Sequence, residues 1–236
     1  MTTRRSFLKQ ASLASAPFIL PSHVWAAKGD EAPNNRINVA IIGPGKMGRG
    51  HAHKLIRNPR AQVTGFAEIA DVRTQHTKEL IEKHYAKYTP SGTWNGLNIT
   101  RDYLELLEDK SLDAVLIATP DHWHGEPTIR AARAGKHVYC EKPVSLTIRE
   151  GRAMVNAVKE NKIVFQTGSQ QRTEYGGKFR RTVELVRSGA IGELKKIRVC
   201  VGAPPKTCDL PTEPIPEGID WDAWLGPMAE RPYGKG

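Results

Sequence analysis

Residues 37–42 read Ile-Asn-Val-Ala-Ile-Ile, an apolar run that passes straight into Gly43-Pro44-Gly45-Lys46-Met47-Gly48 and then into a helical pattern. The run predicts a β-strand, and the glycines predict a tight turn into a helix. That helix is expected over residues 47–58, stopping before Pro59 because a residue preceding proline disfavours helical backbone. A second strand is expected over 62–67 and a second helix over 71–84. Residues 89–98, with Pro90, Gly92 and Gly96, predict a loop.

Residues 111–118 carry Leu112, Ala114, Val115, Leu116, Ile117 and Ala118. So nearly continuous a run predicts a parallel strand covered on both faces. It ends in Thr119-Pro120-Asp121-His122-Trp123-His124. A helix over 127–134, closed by Gly135, leads to a short strand at 137–140 and then to Glu141-Lys142-Pro143. Residues 147–161 predict a helix with Thr147 as N-cap and Glu150 three residues on, its apolar side including Ile148, Met154, Val155 and Val158. Residues 162–167 predict the last strand of this unit. Strand and helix alternate throughout, so residues 37–167 predict an α/β fold, a Rossmann-type doubly wound parallel sheet.

The rest predicts the start of a second, α+β domain over 168–236. An amphipathic helix is expected over 179–188 with Gly189 just past its end. Residues 194–201 alternate like the first strand of a second sheet, and a Pro-rich stretch over 204–216 leads to Trp221-Asp222-Ala223-Trp224. One strand cannot make a sheet. The expectation is therefore an incomplete domain in a fragment of a longer protein, with truncation or a second chain supplying the rest as the alternatives.

The Gly-x-Gly-x-x-Gly turn carries chemistry. The first glycine, Gly43, permits the turn; the second, Gly45, lets backbone approach a pyrophosphate; the third, Gly48, lets helix pack close to strand. Lys46 and Met47 lie between them, where helix N-terminal amides face the phosphates, and Arg49 follows. Glu68 comes 20 residues after Gly48, at the end of the second strand. A carboxylate there accepts hydrogen bonds from ribose hydroxyls and repels a 2′-phosphate, which favours NAD. Arg73 pulls the other way, since a nearby arginine accommodates that phosphate, so NADP stays open. Ligands of open α/β sheets bind at the carboxyl ends of strands, so the cluster 119–124 points into the cofactor crevice. Trp123 reads equally as core.

The first 26 residues hold Arg4-Arg5-Ser6-Phe7-Leu8-Lys9, a modestly apolar stretch, and Val24-Trp25-Ala26 as a small-residue cleavage site. They resemble a twin-arginine signal, which implies export of a folded protein by the twin-arginine translocase and a periplasmic location. The apolar stretch is too short to span a bilayer, so no stable membrane anchor is expected. Residues 27–36 read as a linker.

The chain has 236 residues, a net charge of +10 and 39% hydrophobic residues, enough for a core. Past residue 26 the balance is 32 basic to 25 acidic side chains, scattered and without an aromatic-interleaved basic patch, which argues against nucleic acid. Cys140, Cys200 and Cys208 form no C-x-x-C and suggest neither a zinc site nor a disulfide framework, leaving open one bridge between Cys200 and Cys208. His51 and His53, two apart on a helix, share no face and read as surface or packing residues. His122 and His124 lack carboxylate or cysteine company, so no metal site is expected. No strand-turn-helix G-x-S-x-G supports a serine hydrolase.

Taken together, the cradle, Ala118-Thr119-Pro120-Asp121-His122-Trp123-His124 and Ala134-Gly135-Lys136-His137-Val138-Tyr139-Cys140-Glu141-Lys142-Pro143 resemble the glucose-fructose oxidoreductase, inositol dehydrogenase and MocA (Gfo/Idh/MocA) family. The resemblance extends to Gly168-Ser169-Gln170-Gln171-Arg172 and Trp224-Leu225-Gly226-Pro227. It implies that Glu141 contacts the nicotinamide-side ribose and that Lys142 stands beside the reacting carbon. It also implies that Thr119, Pro120 and His124 line the nicotinamide side, with Arg172 among the cofactor contacts. Oxidising a carbinol moves a hydride to nicotinamide while a proton leaves the hydroxyl, so Lys142 is the expected acid/base. A histidine from the second domain shares this work in the family, and no such motif occurs here. The resemblance thus implies an exported NAD(P)-dependent oxidoreductase acting on a sugar, cyclitol or related polyol, homo-oligomeric in full-length form. A glycosidase using transient oxidation and elimination, and a truncated nucleotide-binding chain without catalysis, are the alternatives.

Overall fold

In the computed structural model, residues 35–170, 175–200, 202–203 and 210–234 are described. Six strands build one sheet: β1 (Ile37–Ile42), β2 (Ala61–Ala67), β3 (Asn98–Thr100), β4 (Ala114–Ile117), β5 (His137–Glu141) and β6 (Phe165–Gly168). Their order is β3-β2-β1-β4-β5-β6, and every neighbouring pair is parallel. The helices between them are α1 (Lys46–Leu55), α2 (Asp71–Ala86), α3 (Tyr103–Glu108), α4 (Gly125–Arg133) and α5 (Ile148–Glu160). This is the doubly wound sheet expected from the sequence. The chain reverses direction across the sheet between β1 and β4, the switch point where such folds place a ligand.

Alternation along the central strands explains the near-continuous apolar runs. Ala40 and Ile42 of β1 and Val115 and Ile117 of β4 join one core, with Leu106 and Leu107 of α3, Ala131 and Ala132 of α4, and Ala157 of α5. Val39, Ile41 and Leu116 face the other way, onto Ala52 of α1 and Ile81 of α2. Successive side chains point to opposite faces. Both faces are covered, so both sets of positions must be apolar.

Differences from the expected elements have local causes. β3 and α3 fall where the sequence predicts a loop or nothing. β3 is three residues long, and α3 is a six-residue helix started by the Asp102 side chain, which accepts from Leu104 N at 2.9 Å. In α5 the Thr147 hydroxyl accepts from Glu150 N at 3.1 Å, while the Glu150 carboxylate accepts from Leu146 N at 2.7 Å rather than from the cap residue itself. Met154 and Ala157 are its buried side, and Ile148 is 94% exposed, so the buried stripe is rotated from the expected one.

Past β6, α6 (Lys178–Arg187) carries no buried residue, and Gly189, with φ of 74°, ends it. Residues 194–200 form no strand, having no ladder partner among the described residues. The chain then returns to the sheet. Ile219 pairs with Ala70 in an antiparallel bridge, Asp71 N donates to Gly218 O at 2.9 Å, and α7 (Trp221–Leu225) packs against the crevice with Leu225 buried. The signal at 1–26, linker residues 27–34, Arg172 and Cys208 lie outside the described residues. Among the described residues, no helix is long and apolar enough to cross a membrane.

Candidate functional site

At the carboxyl end of β1 each cradle glycine meets different surroundings. Gly43 has φ of +78°, and a Cβ on it would lie 2.8 Å from the Thr119 methyl. A Cβ on Gly48 would lie 2.6 Å from Gly43 O, so α1 approaches the strand as closely as glycine alone permits. A Cβ on Gly45 would meet only the Arg73 guanidinium, at 3.9 Å, and otherwise faces open space. Gly45 is the N-cap of α1, with no side-chain cap and no acid in the first turn. Lys46 and Met47 are the exposed first residues of that turn. The positive end of the helix is thus left bare toward that space, an arrangement suited to an anion.

Glu68 lies just past β2 and is 5% exposed. Its Oε1 accepts from Ile69 N at 2.9 Å and Ala70 N at 3.0 Å, whereas Oε2 is buried without a partner among the described residues. Burial pushes the carboxyl up from its ordinary value, opposed by the Ala70 amide, Arg73, the Ile69 amide and Arg49. A buried acceptor with no donor costs about 1–3 kcal/mol. Ribose hydroxyls are donors of the right kind, so the residues present fit a dinucleotide.

The end of β4 is held by its own backbone. The Thr119 hydroxyl donates to Trp123 O at 3.0 Å. His124 is 1% exposed, its Nε2 3.0 Å from Thr119 O and its Nδ1 2.5 Å from Pro143 O. It straps the turn after β4 to the turn after β5. His122 Nε2 lies 2.8 Å from Trp224 O.

Glu141, at the end of β5, is 4% exposed and gathers contacts from three elements. Its Oε1 accepts from His51 Nε2 at 2.6 Å, from Gln170 Nε2 at 2.8 Å and from the Tyr139 hydroxyl at 3.5 Å. Its Oε2 accepts from Lys142 N at 3.2 Å. A carboxylate only accepts, so the His51 proton sits on Nε2. Lys142 itself is exposed, and its bond to Pro143 is cis.

A cavity of about 360 Å³ opens between these strand ends. Its lining includes Gly43 and Gly45, then Glu68, Ile69 and Arg73, and also Thr119, Pro120 and Trp123. Arg101, Asp102 and Tyr103, absent from the sequence reading, line it too, as do Asp220, Ala223 and Trp224. Glu141, Lys142 and His124 are not among its lining residues, so the cavity is the Glu68 half of the crevice, and Thr119 and Pro120, expected on the nicotinamide side, line this half as well.

The family model for the Gfo/Idh/MocA oxidoreductases, an NAD-binding Rossmann fold, matches residues 37–169. The chain belongs to the Gfo/Idh/MocA family. Its relatives include the scyllo-inositol 2-dehydrogenase (NAD(+)) of Bacillus subtilis, 32% identical over 72% of this chain and 47% of that one. The 2,7-anhydro-N-acetylneuraminate hydratase of Escherichia coli is 35% identical over 54% of this chain and 34% of that one. Among solved structures, scyllo-inositol dehydrogenase of Lactobacillus casei with NAD(H) and scyllo-inositol superposes with a TM-score of 0.57, covering 67% of this chain and 43% of that one. At 24% identity that likeness speaks for the fold. The chain spans less than half the length of these Gfo/Idh/MocA relatives.

Sequence reasoning missed the tie to Glu141. The spacing of His51 and His53 predicts a surface or packing residue because the two share no helix face, and it carries no trace of a partner 90 positions away. The one signal available was that Glu141, an acid at a strand end, needed a donor from elsewhere.

Proposed function

We propose that this chain holds NAD(H) across the β1–β4 switch point and serves an oxidoreductase acting on a sugar, cyclitol or related polyol, inositols among them. The observation carrying the proposal is the buried Glu68 Oε2, without a partner among the described residues, in the cavity that the open face of Gly45 also lines. When bound, the nicotinamide would take a hydride from a carbinol carbon or return it. The chain's own residues do the rest. The bare N-terminus of α1 holds the phosphates, Glu68 accepts from ribose hydroxyls, and Glu141, fixed by His51 and Gln170, orients the turn that carries Lys142. Lys142 takes the hydroxyl proton. With Glu68 dominant over Arg73, NAD is preferred to NADP.

Fluorescence titration of the purified chain with NADH and NADPH tests the binding half. NADH binds more tightly, and Lys142→Ala leaves that affinity unchanged. Wherever polyol-dependent turnover is measurable, the same substitution should lower it by about 100-fold or more. A chain that binds neither nucleotide overturns the reading.

A second reading, transient oxidation followed by elimination, draws support from the hydratase relative. Net NADH accumulates with a dehydrogenase and does not with an eliminating enzyme. A nucleotide-binding chain without catalysis remains the third reading for these 236 residues, and polyol turnover by the purified chain would exclude it. Export to the periplasm through the twin-arginine translocase is part of the first proposal, supported by Arg4-Arg5 and Val24-Trp25-Ala26. Replacing both arginines with lysine should hold the protein in the cytoplasm. Self-association is likewise proposed, to be read by sedimentation.

A further inference from the structure

The wall of the cavity formed by α7 lies outside the span matched by the family model, which ends at residue 169. It is nevertheless firmly attached. The Trp123 indole Nε1 donates to Ala223 O at 2.9 Å and to Trp224 O at 3.0 Å, and His122 Nε2 lies 2.8 Å from Trp224 O. Gly226 sits so close to Trp123 that a Cβ on it would fall 2.1 Å from the indole. The Asp220 side chain caps α7 by accepting from Ala223 N at 2.9 Å, and the bridge at Ile219 fixes the segment ahead of it. Trp224 is packed in turn, with Trp221 stacked on it at 4.6 Å, His122 edge-on at 4.9 Å and the Arg231 guanidinium 5.9 Å over its ring.

What this wall encloses follows from the rest of the lining. Glu68 and Arg73, groups suited to a ribose and its substituents, share the lining with Ile69, Tyr103, Pro120 and Trp123. A slot with apolar and aromatic walls and several charged groups, Glu68, Arg73, Arg101, Asp102 and Asp220, fits the flat face of a heteroaromatic ring carried on a polar ribose. The turn bearing Lys142 is elsewhere. We infer that Asp220–Trp224 is an adenosine-enclosing wall, so that the segment after the Rossmann domain helps set affinity for the AMP half of the dinucleotide. This rests on the nucleotide reading above and adds a contact from a part of the chain that the family's Rossmann match does not include.

The test measures NADH affinity by fluorescence and AMP affinity by displacement of NADH, on the whole chain and two variants. Trp224→Ala opens the wall, and Ala223→Leu fills the cavity while keeping every wall contact made by backbone; circular dichroism checks that each is folded. The expected result is a loss of about tenfold in affinity for NADH and AMP alike in a folded variant. The inference is overturned if folded Ala223→Leu binds NADH as the wild type does, or if NADH weakens while AMP does not. A wild-type chain that binds NADH but not AMP also overturns it, leaving the nucleotide reading standing. A wild-type chain that binds neither ligand removes both.

Discussion

His51 Nε2 lies 2.6 Å from Glu141 Oε1, so the helix that starts at the glycine cradle is tied directly to the strand end that carries Lys142. Both side chains are largely buried, at 14% and 5% exposure. Losing this donor leaves Glu141 Oε1 with Gln170 and the Tyr139 hydroxyl, so the cost is that of one hydrogen bond, about 1 kcal/mol. His51→Leu should therefore lower the melting temperature, and His51→Gln, which can donate from a similar position, should recover most of the loss. Equal melting temperatures for the two variants would show that the ring's packing on Tyr139, with centroids 5.3 Å apart, matters more than its hydrogen bond.

Glu68 ties affinity and stability to pH in opposite directions. Burial raises its pKa in the folded chain, so the folded state holds this proton more tightly than the unfolded state does. The associated stability is present at low pH and is lost as pH rises through the raised value. Ribose hydroxyls need the ionised acceptor, so NADH affinity should climb over that same interval. Glu68→Gln should flatten both profiles in denaturant and binding titrations carried across the acidic range; an unchanged stability profile would remove Glu68 as their source.

Two glycines in one motif should fail differently. Gly48→Ala drives a Cβ to within 2.6 Å of Gly43 O, a backbone atom that cannot turn aside, and should cost about 1–3 kcal/mol of stability. Gly45→Ala meets nothing nearer than 3.9 Å and its φ of −66° suits alanine, so the chain should fold normally. It should bind NADH much more weakly, because the methyl group projects where phosphates must approach. Thermal melts and NADH titrations of the pair separate the two roles.

Burial pushes the Cys140 thiol up to about 12, while Cys200 is exposed. Thiolate is the reactive form. An aromatic disulfide reagent at neutral pH should label Cys200 in the native chain and reach Cys140 only after denaturant, as peptide mapping would show. Prompt labelling of Cys140 would mean that β5 opens far more readily than its packing suggests.

The sheet was legible wherever both faces of a strand are buried. Ala114–Ile117 has no polar position to confuse its reading, and the glycines beside β1 mark its turn. β3 was not, because Asn98-Ile99-Thr100 is too short and too polar to show a pattern, and its pairing partner is β2. Residues 194–200 mislead for the opposite reason: alternation states which side chains could share a face, not whether a neighbouring strand exists. In the site, residue types at strand ends were readable, since their place follows from topology. Contacts made by side chains far apart in sequence, His51 with Glu141 and Trp123 with α7, were not, because periodicity carries no record of a partner 90 or 100 positions away.

The manner in which α7 is fastened separates attachment from content. Trp123 and His122 grip carbonyl oxygens of Ala223 and Trp224, groups that every amino acid supplies. The hydrogen-bonded part of the anchorage therefore survives exchange of the side chains at those two positions, while the ring contacts of Trp224 do not. The lining at position 223 can thus change while the backbone hydrogen bonds that hold α7 to the sheet stay as they are.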